Sequence, residues 1–566
     1  MNVDPSSQAR AGRREWGLAL GGAVAMFLVQ PPADCWLLAW LAPLPWLALV
    51  QADRLTAPRP WWMLWCAGFL HWLAAIHWLR LPHPATSIGW VALSAYLGIY
   101  VPLFVAVARR MVHAWRWPLV AAAPMAWMAC EQLRGWVLGG FTFAALGHTQ
   151  WRWTTLIQVA DAAGAVGVSG VVMTIAAAVA VMVAAGRRPE SRREAFMSAV
   201  VATIVLAGTL GYGTWRLASS PPESGQPLDV LLVQGSIDTE LKHDPEAAGD
   251  VARHYDDLTM AALPRSDESP PDLVAWPETM WRWGLLEIDP DEVLPESVVG
   301  PTLAAAGLAA DLPAAERQAA CRRFLEQERL AVLASYARRY GTHWLVGLDK
   351  QVITPHAAAG LRNYNCGLFL GPDGGPLACY SKMHPVMFGE YVPLADRFPW
   401  LYRLTPLAGG LTAGSEPVAV TLAGHRVAVN ICYETALPEA VRSLVLELGR
   451  RGGRPDVIVN LTNDGWFWGS SELDMHLTAA LFRAIEVRTP IVIAANTGFS
   501  AWIDGSGRLL ARGPRRAVGT LRAAVRRDGR SSPWLAWGSL PFGLIVAVAA
   551  VALLPGRPSR GSLEKR

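Results

Sequence analysis

The stretch RVAVNICYE, residues 426–434, decides the fold of the larger part of this chain. Its apolar run predicts a strand over 426–432 and is typical of a sheet that is buried on both faces. The strand ends on a cysteine, which a tyrosine and a glutamate follow. Comparable runs predict further strands on either side of it, at 229–233, 273–276, 343–348, 364–370, 418–422, 457–461 and 491–494.

Helical patterns alternate with these strands, near 245–262, 313–340, 437–450 and 473–488. Pro372–Gly375 and Ala423–His425 have the composition of hairpin turns. The sequence therefore predicts an α/β domain with mixed sheets. Residues 287–320, rich in Pro, Ala and acidic residues, are expected to form an insertion or a long surface loop.

The rest of the chain has a different composition. Of its 566 residues 52% are hydrophobic and 17% charged, against about 25% charged in an ordinary soluble protein; the mean hydropathy is +0.25. Runs long enough to span a bilayer lie at 16–32, 36–50, 61–79, 88–108, 117–133, 159–185, 195–213 and 535–554. These eight runs predict seven spans over 1–213, a water-soluble domain over 214–534, and an eighth span with a tail over 535–566.

The arginines indicate the orientation of these spans. If all eight segments cross, the basic clusters share one side, and the opposite short loops hold little beyond Arg80, Arg134 and Arg152. The positive-inside rule then places both termini in the cytoplasm and the soluble domain outside. The first run is expected to be a signal anchor, because no cleavage site is followed by soluble sequence. The basic clusters are Arg10, Arg13 and Arg14; Arg54 and Arg59; Arg109, Arg110 and Arg116; Arg187, Arg188, Arg192 and Arg193; and Arg557, Arg560, Lys565 and Arg566.

Charge and cysteine content exclude some classes of protein. A net charge of +4 gives no reason to expect a nucleic-acid partner. The seven cysteines are an odd number without a Cys-x-x-Cys pair, so neither a disulfide framework nor a thiol zinc site is indicated.

Three residues that follow or end predicted strands have the chemistry of an acyl-transfer site: Glu278, Lys382 and Cys432. A thiol attacks an acyl group only as thiolate, so it needs a base, and a carboxylate can take its proton. An ammonium group can stabilise the oxyanion that forms. Taken singly, each residue also has an ordinary structural role, as a core cysteine, a helix-start glutamate or a solvated lysine.

The surroundings of these residues carry a resemblance. VAWPET (274–279), YSK (380–382) and ICYE (431–434), in this order, resemble the nitrilase or carbon-nitrogen hydrolase superfamily. With the predicted spans, the chain resembles the bacterial apolipoprotein N-acyltransferases. The resemblance implies a polytopic α-helical membrane domain of eight spans and an extracytoplasmic nitrilase-like αββα sandwich. Further motifs that support it are FGEYVP (388–393), NDGWF (463–467), RAIE (483–486), NTG (496–498), LRGW (133–136) and LGHTQ (146–150).

The resemblance implies a two-step reaction in the bacterial inner membrane. Cys432 would attack an ester of a phospholipid, typically phosphatidylethanolamine, with Glu278 as general base and Lys382 steadying the oxyanion. The α-amine of the N-terminal S-diacylglyceryl-cysteine of a lipoprotein would then take the acyl chain from the thioester, the last step of lipoprotein maturation. The resemblance implies no metal and no soluble cofactor, and a periplasmic catalytic domain.

The resemblance also assigns supporting residues. Glu390 and Glu434 are expected to line the site, and Tyr433, next to the nucleophile, to support it or to pack. Contacts with substrate or lipid are expected at Trp276, Arg134, Trp466 and Asn463; Arg134 is alternatively the ion-pair partner of Glu131. The sequence departs from the family pattern at 383–387, at Trp468, at Asp474-Met475-His476 and at Ile493. These changes leave the three catalytic candidates intact and put the headgroup and acyl-chain preference in doubt.

Two other functions stay open at this point. A membrane-tethered nitrilase-type amidase would use the same three residues with water as acceptor. A non-catalytic membrane scaffold would bind a partner through its nitrilase-like domain, although intact Glu278, Lys382 and Cys432 argue against such a loss of activity.

Overall fold

The computed structural model describes residues 5–186, 191–219, 225–238, 246–264, 269–308, 312–356, 360–395, 397–404 and 409–554. Its contacts divide the chain into two units. The helical unit comprises Met1–His77, Trp90–Ala218 and Ala536–Arg566, and the sheet unit comprises Trp78–Gly89 and Ser219–Leu535. The domain limits expected from the sequence stay predictions.

The helices follow the apolar and amphipathic patterns of the sequence. Each predicted span falls largely on helical residues, and small side chains such as those of Ala122, Ala126 and Ala176 are buried in the core of the helical unit. In chain order the α-helices are α1 (Pro5–Leu28), α2 (Leu44–Gln51), α3 (Pro60–Ala75), α4 (Thr86–Gly98), α5 (Tyr100–His113), α6 (Leu119–Trp136), α7 (Thr154–Ile157), α8 (Ala160–Ala185), α9 (Arg192–Ala218), α10 (Ala248–Ala262), α11 (Glu296–Ala305), α12 (Ala314–Tyr340), α13 (Pro438–Gly452), α14 (Glu472–Val487), α15 (Pro533–Trp537) and α16 (Leu540–Leu553).

Three helical stretches are long and apolar enough to cross a membrane among the residues described: Thr86–His113, Ala160–Ala185 and Arg192–Ala218. The other predicted spans lie on helices that are shorter or more polar. The α3 helix has 16 residues and α16 has 14, while α6 carries Glu131 and Arg134. The helical unit therefore contains apolar helices of spanning length, and the number of eight spans stays a prediction.

The sheet unit is built on two six-stranded sheets, with strand orders β12-β1-β2-β3-β4-β5 and β11-β10-β9-β8-β7-β6. Parallel pairs lie at the centre of both, β1–β2–β3 in the first and β7–β8–β9 in the second, with antiparallel strands at the edges. The expected mixed sheets are confirmed. The strands are β1 (Leu228–Gln234), β2 (Leu273–Ile288), β3 (His343–Ile353), β4 (Leu361–Leu370), β5 (Pro376–Ser381), β6 (Ala419–Leu422), β7 (His425–Ile431), β8 (Val457–Thr462), β9 (Ile491–Ala495), β10 (Ala501–Ile503), β11 (Leu509–Arg512) and β12 (Gly519–Val525).

The two sheets pack face to face. Leu232, Leu345 and Phe369 of the first sheet share one buried cluster with Val429 and Leu461 of the second. The opposite face of the first sheet packs against α10 and α12, and α14 contacts β9 and β10 of the second. Because the central strands are covered on both faces, they need the continuous apolar runs seen in the sequence.

The expected loop at 287–320 is partly wrong. Residues Glu296–Ala305 form α11, and α12 begins at Ala314. Val299 and Leu303 of α11 pack with Cys321 of α12 and with Ile288 in a small buried cluster. The segment has enough apolar side chains to form this local core; residues 309–311 lie outside the described part.

Candidate active site

The structure brings Glu278, Lys382 and Cys432 together, the first from a bend within β2 and the other two from the ends of their strands. Glu278 lies where the register of β2 with β3 shifts, between Trp276 and Trp281. Lys382 comes directly after β5, and Cys432 directly after β7. Lys382 Nζ lies 3.6 Å from Glu278 Oε1, and the charges of both groups act on the Cys432 thiol. Two sheets thus contribute one polar cluster inside an otherwise apolar domain.

The Glu278 carboxylate is held by two donors. Its Oε1 accepts a hydrogen bond of 2.6 Å from Asn365 Nδ2, and its Oε2 accepts one of 2.9 Å from the main-chain N–H of Asn463. The residue is only 5% exposed. Thr279, next in sequence, has a φ of 55°, so the chain bends sharply here. The bend and the two donors fix the direction of the carboxylate.

Gly347 on β3 allows this bend, and its replacement is expected to disturb the site. A Cβ at this position would lie 2.2 Å from Pro277 O and 2.6 Å from Glu278 Cα. Gly347→Ala must therefore displace the segment that carries Glu278, and we expect acyl transfer to fall at least tenfold and the Tm to drop, since overpacking costs about 1–3 kcal/mol.

Gly249→Ala in α10 is the control, because a Cβ there meets only the end of the Arg253 side chain, Nη1, at 3.7 Å. Its activity and Tm should equal or slightly exceed those of the wild type, since alanine favours helix. Wild-type activity in Gly347→Ala would show that the bend does not position Glu278.

Lys382 is buried between two carboxylates. Its Nζ donates to Glu390 Oε1 at 2.7 Å and lies near Glu278, and the side chain is 1% exposed. Burial alone would lower the pKa of this amine, but the Glu390 and Glu278 carboxylates raise it above its ordinary value. Lys382 is therefore a permanent ammonium group, suited to stabilising negative charge and unsuited to accepting a proton.

Glu390 connects the Lys382 ammonium group to the chain segment just before Glu390. Its second oxygen, Oε2, accepts a hydrogen bond of 2.7 Å from the N–H of Val386. Phe388, inside the same turn, has a φ of 62° and is 63% exposed. The carboxylate thus orients Lys382 and holds the turn over 386–390 in place.

Cys432 is the first residue of a short 3-10 helix, Cys432–Ala436. Its φ of 53° lies in the left-handed region, which costs a residue with a side chain roughly 1–2 kcal/mol. Burial and the Glu278 carboxylate raise the pKa of the thiol well above its ordinary value, while Lys382 opposes them. The resting group is therefore a thiol, and it needs a base before it can act as a nucleophile.

Glu434 stabilises the turn that carries the nucleophile. Its carboxylate accepts hydrogen bonds from the N–H groups of Ile431 (2.7 Å), Met383 (2.7 Å) and His384 (2.9 Å) and from the Tyr380 hydroxyl (2.8 Å). Burial alone would raise the pKa of Glu434, but the hydrogen bonds with His384 and Ile431 and the charge of Lys382 lower it. Glu434 thus joins the residues after Cys432 to those after Lys382.

Glu434→Gln is expected to destabilise the sheet unit. A glutamine amide offers one acceptor oxygen where the native carboxylate offers two, so buried N–H donors lose their partner at about 1–3 kcal/mol each. Thermal unfolding in detergent should show a Tm lower by roughly 5 °C or more. The depressed pKa means that this stabilisation is present above about pH 4.5 and is lost as the pH falls through the folded-state pKa.

The control is Glu416→Gln, since Glu416 is 61% exposed and pairs with Arg451 on the surface. Its effect should stay within about 0.5 kcal/mol. Equal Tm values for the two variants would contradict the structural role of Glu434.

The other expected site residues have different surroundings. Tyr433 and Trp466 are half-buried. The N–H of Asn463 reaches Glu278, while its Oδ1 accepts from Asn496 Nδ2 at 3.0 Å. Trp276 is fully buried and packs on Tyr255 and Trp344, so the structure does not bring its ring to a surface open to substrate or lipid.

Arg134 belongs to the helical unit and is buried there. It donates from Nη1 to Phe143 O at 3.0 Å and lies over the Trp72 ring. Glu131 Oε1 accepts from the N–H of Leu146 at 2.8 Å. Within the described residues no nitrogen–oxygen contact of 4 Å or less joins Glu131 to Arg134, although their charges act on each other. Their hydrogen-bond partners are main-chain groups of 143–146 and, for Glu131, the Trp127 indole.

The structure adds residues that the sequence reasoning missed. Asn365 orients Glu278, Asn460 Nδ2 donates to Cys432 O at 3.2 Å, and His476 Nε2 lies 3.1 Å from the same oxygen. One sequence signal could have indicated them. Each is a polar side chain within or beside an apolar, buried strand or helix, and a buried polar side chain needs a hydrogen-bond partner in the folded protein.

Two family models match this chain. A family model described as apolipoprotein N-acyltransferase N-terminal domain matches residues 22–178, and one described as carbon-nitrogen hydrolase matches residues 255–532. The crystal structure of an amidase from Nesterenkonia sp. is 17% identical, covers 57% of this chain and 97% of its own, and has a TM-score of 0.34.

Curated relatives match along nearly the whole length. An apolipoprotein N-acyltransferase from Rhodopirellula baltica is 30% identical over 558 residues, which cover 94% of this chain and 95% of that protein. Another from Geobacter metallireducens is 30% identical over 553 residues, covering 95% of this chain and 94% of that protein. The expected family is confirmed: this chain belongs to the apolipoprotein N-acyltransferase family and carries a carbon-nitrogen hydrolase domain.

Proposed function

We propose that this protein transfers an acyl chain from a phospholipid to the α-amine of the N-terminal S-diacylglyceryl-cysteine of lipoproteins, through a thioester on Cys432. The observation that carries this proposal is the meeting of Glu278, Lys382 and Cys432 in one polar cluster, in a chain that matches acyltransferases over nearly its full length. This acyl transfer is the last step of lipoprotein maturation.

In the first step Glu278 takes the proton from Cys432 Sγ. The thiolate attacks the ester carbonyl of the phospholipid, a carbon–sulfur bond forms, and Lys382 stabilises the negative charge that develops on the carbonyl oxygen. The ester carbon–oxygen bond then breaks. The departing lysophospholipid oxygen takes the proton back from Glu278, and an S-acyl enzyme remains.

In the second step the lipoprotein amine replaces the lysophospholipid. It attacks the thioester carbonyl, Glu278 accepts the amine proton, and the carbon–sulfur bond breaks. The sulfur recovers its proton, and the lipoprotein carries the acyl chain as an amide. The same carboxylate thus works first as base and then as acid in each half-reaction.

Glu278 is the best of the three carboxylates for this role. Of these three, its charge has the largest effect on the Cys432 thiol. Glu434 is committed to main-chain donors, and Glu390 holds Lys382 at 2.7 Å with one oxygen and Val386 with the other. Glu278 Oε1 lies farther from Lys382 Nζ, at 3.6 Å.

We also propose the finer features of donor and topology. Phosphatidylethanolamine is the proposed donor, and the protein would cross the inner membrane eight times, with both termini in the cytoplasm and the catalytic domain in the periplasm. The apolar helices Thr86–His113, Ala160–Ala185 and Arg192–Ala218 support a membrane location. The orientation is supported by the arginine clusters, of which 187–188 and those beyond 554 lie outside the described residues.

Exposed aromatic side chains of the sheet unit are proposed to meet lipid. Trp400 is 55% exposed and lies in the 3-10 helix Pro399–Leu404. Trp468 is 50% exposed and directly follows the 3-10 helix Asp464–Phe467. Phe388 lies in the turn that Glu390 holds beside Lys382. Aromatic rings favour the interface between headgroups and acyl chains, so these residues suit a site whose two substrates are both lipids.

A transfer assay tests the proposed function. The purified protein in detergent would receive phosphatidylethanolamine with a labelled acyl chain and a diacylated lipopeptide with a free amine. We expect the label to move to the lipopeptide as an amide. Hydrolysis of small amides without any acyl transfer would favour the tethered amidase, and binding of the lipopeptide without any turnover would favour the scaffold.

A further inference from the structure

His476 lies directly behind the proposed nucleophile. It belongs to α14 and is 3% exposed. One ring nitrogen, Nε2, lies 3.1 Å from the carbonyl oxygen of Cys432, and the other, Nδ1, lies 3.2 Å from Asp464 Oδ1. The side chain therefore connects the backbone of the nucleophile to a buried carboxylate.

Both of these contacts require a hydrogen on the ring. A carbonyl oxygen can only accept, so Nε2 must donate to Cys432 O. Asp464 Oδ1 already accepts from Thr462 Oγ1 at 2.8 Å, and an ionised carboxylate can only accept, so Nδ1 donates as well. Burial alone would lower the pKa of His476, but the Asp464 and Glu472 carboxyl groups raise it to about 9. His476 is therefore an imidazolium at neutral pH.

Glu472 is the third member of this buried cluster. Burial and the neighbouring Asp464 charge raise the pKa of Glu472 well above its ordinary value, and the charge of His476 opposes them. Polar atoms of the three side chains lie within 4.8 Å of one another, close enough for a metal ion. A ligating histidine needs a free lone pair, however, and both nitrogens of His476 donate to oxygen.

The contact with Cys432 O acts on a strained part of the chain. Cys432 has a φ of 53°, and its carbonyl accepts a second hydrogen bond from Asn460 Nδ2, at 3.2 Å. Because a peptide group is planar, two donors that fix the direction of this carbonyl also fix the rotation of the Cys432–Tyr433 peptide. Such donors hold the nucleophile in its unfavourable backbone conformation.

We propose that His476 is a positioning residue for acyl transfer, which orients Cys432 by donating from Nε2 to the carbonyl oxygen of that residue. This proposal rests on the proposed function, in which Cys432 carries the acyl chain. His476 touches neither lipid nor the reacting sulfur in this account. Its effect is expected on the rate of thioester formation.

A matched pair of variants separates the two hydrogen bonds of His476. The amide nitrogen of His476→Gln takes the place of Nε2 and can still donate to Cys432 O. The amide nitrogen of His476→Asn takes the place of Nδ1, donates to Asp464 and leaves the carbonyl without this donor. With labelled phosphatidylethanolamine, we expect His476→Gln to form the acyl-enzyme within about threefold of the wild-type rate. His476→Asn should be at least tenfold slower at a similar Tm.

A second readout needs no lipid. Alkylation of Cys432 by iodoacetamide, located by mass spectrometry, should be slower in His476→Asn than in His476→Gln. If both variants fail to fold, Asn460→Ala removes the other donor to the same carbonyl and should also slow thioester formation several-fold. Equal acylation and alkylation rates in His476→Asn and His476→Gln, or a wild-type rate in Asn460→Ala, would overturn the proposal. A wild-type protein that forms no acyl adduct would instead count against the proposed function, while the alkylation rates still decide the role of His476.

Discussion

Replacement of Cys432 by alanine is expected to abolish both acyl-enzyme formation and acyl transfer, on the order of 10⁴-fold or more, because no other group can form the covalent bond. Cys432→Ser should also be inactive, since a hydroxyl is a far weaker acid than a thiol and Glu278 cannot deprotonate it effectively. The measurement is the initial rate of label transfer from phosphatidylethanolamine to a diacylated lipopeptide, with Tm recorded for each variant.

Cys35→Ala is the matched control, because Cys35 is another free cysteine and lies exposed in the helical unit. It should retain the wild-type rate. A Cys432→Ala protein that transfers acyl chains at the wild-type rate would contradict the mechanism.

Glu278→Gln is expected to slow thioester formation by about 10²–10⁴-fold, the usual contribution of a general base. The amide is nearly isosteric with the carboxylate but cannot accept the thiol proton. Since burial keeps Cys432 in the thiol form, the variant depends on the small thiolate fraction present at neutral pH. Its residual rate should therefore rise with pH, measured as single-turnover acylation between pH 7 and 10.

The control on the same strand is Glu287→Gln. Glu287 is 56% exposed and pairs with Lys350, so its loss should change the rate less than twofold. A Glu278→Gln protein that forms the thioester as fast as the wild type would mean that another group takes the proton.

The central strands of the sheet unit were predictable because their burial on both faces demands continuous apolar sequence. The edge strand β6 was also predicted, at 418–422, but the outer strands β5, β10, β11 and β12 were not. β12 alternates exposed and buried residues and includes Arg522, which pairs with Asp229 on the neighbouring β1. β10 and β11 have only 3 and 4 residues. Their formation depends on a neighbouring strand that is distant in sequence, and a local pattern does not report that neighbour.

The predicted number of membrane spans shows a second limit of sequence-based prediction. Apolar runs located the helices, but the length of each helix depends on where its chain turns. The run at 36–50 is divided between the 3-10 helix Trp36–Trp40 and α2. Hydropathy alone does not reveal this break.

The three proposed catalytic residues were recognisable from their order and their motifs, whereas the contacts that orient them were not. Asn365 reaches Glu278 across 87 positions of sequence and His476 reaches Cys432 across 44. The first contact joins β2 and β4 of one sheet, and the second joins α14 to the turn after β7. A local sequence pattern does not report either pairing. Trp276 illustrates the converse. Alternation along β2 would put residues 276 and 278 on the same face, but the register shift between Trp276 and Trp281 separates their side chains, and the Trp276 ring packs into the core against α10 and α12.

The most direct test of the account is mass spectrometry of the intact protein and its peptides after incubation with phosphatidylethanolamine and no acceptor. We predict one added acyl chain on the peptide that contains Cys432, released by hydroxylamine and lost on addition of the diacylated lipopeptide. An unmodified Cys432 in a preparation that transfers acyl chains, or an adduct on another residue that turns over at the rate of transfer, would contradict it.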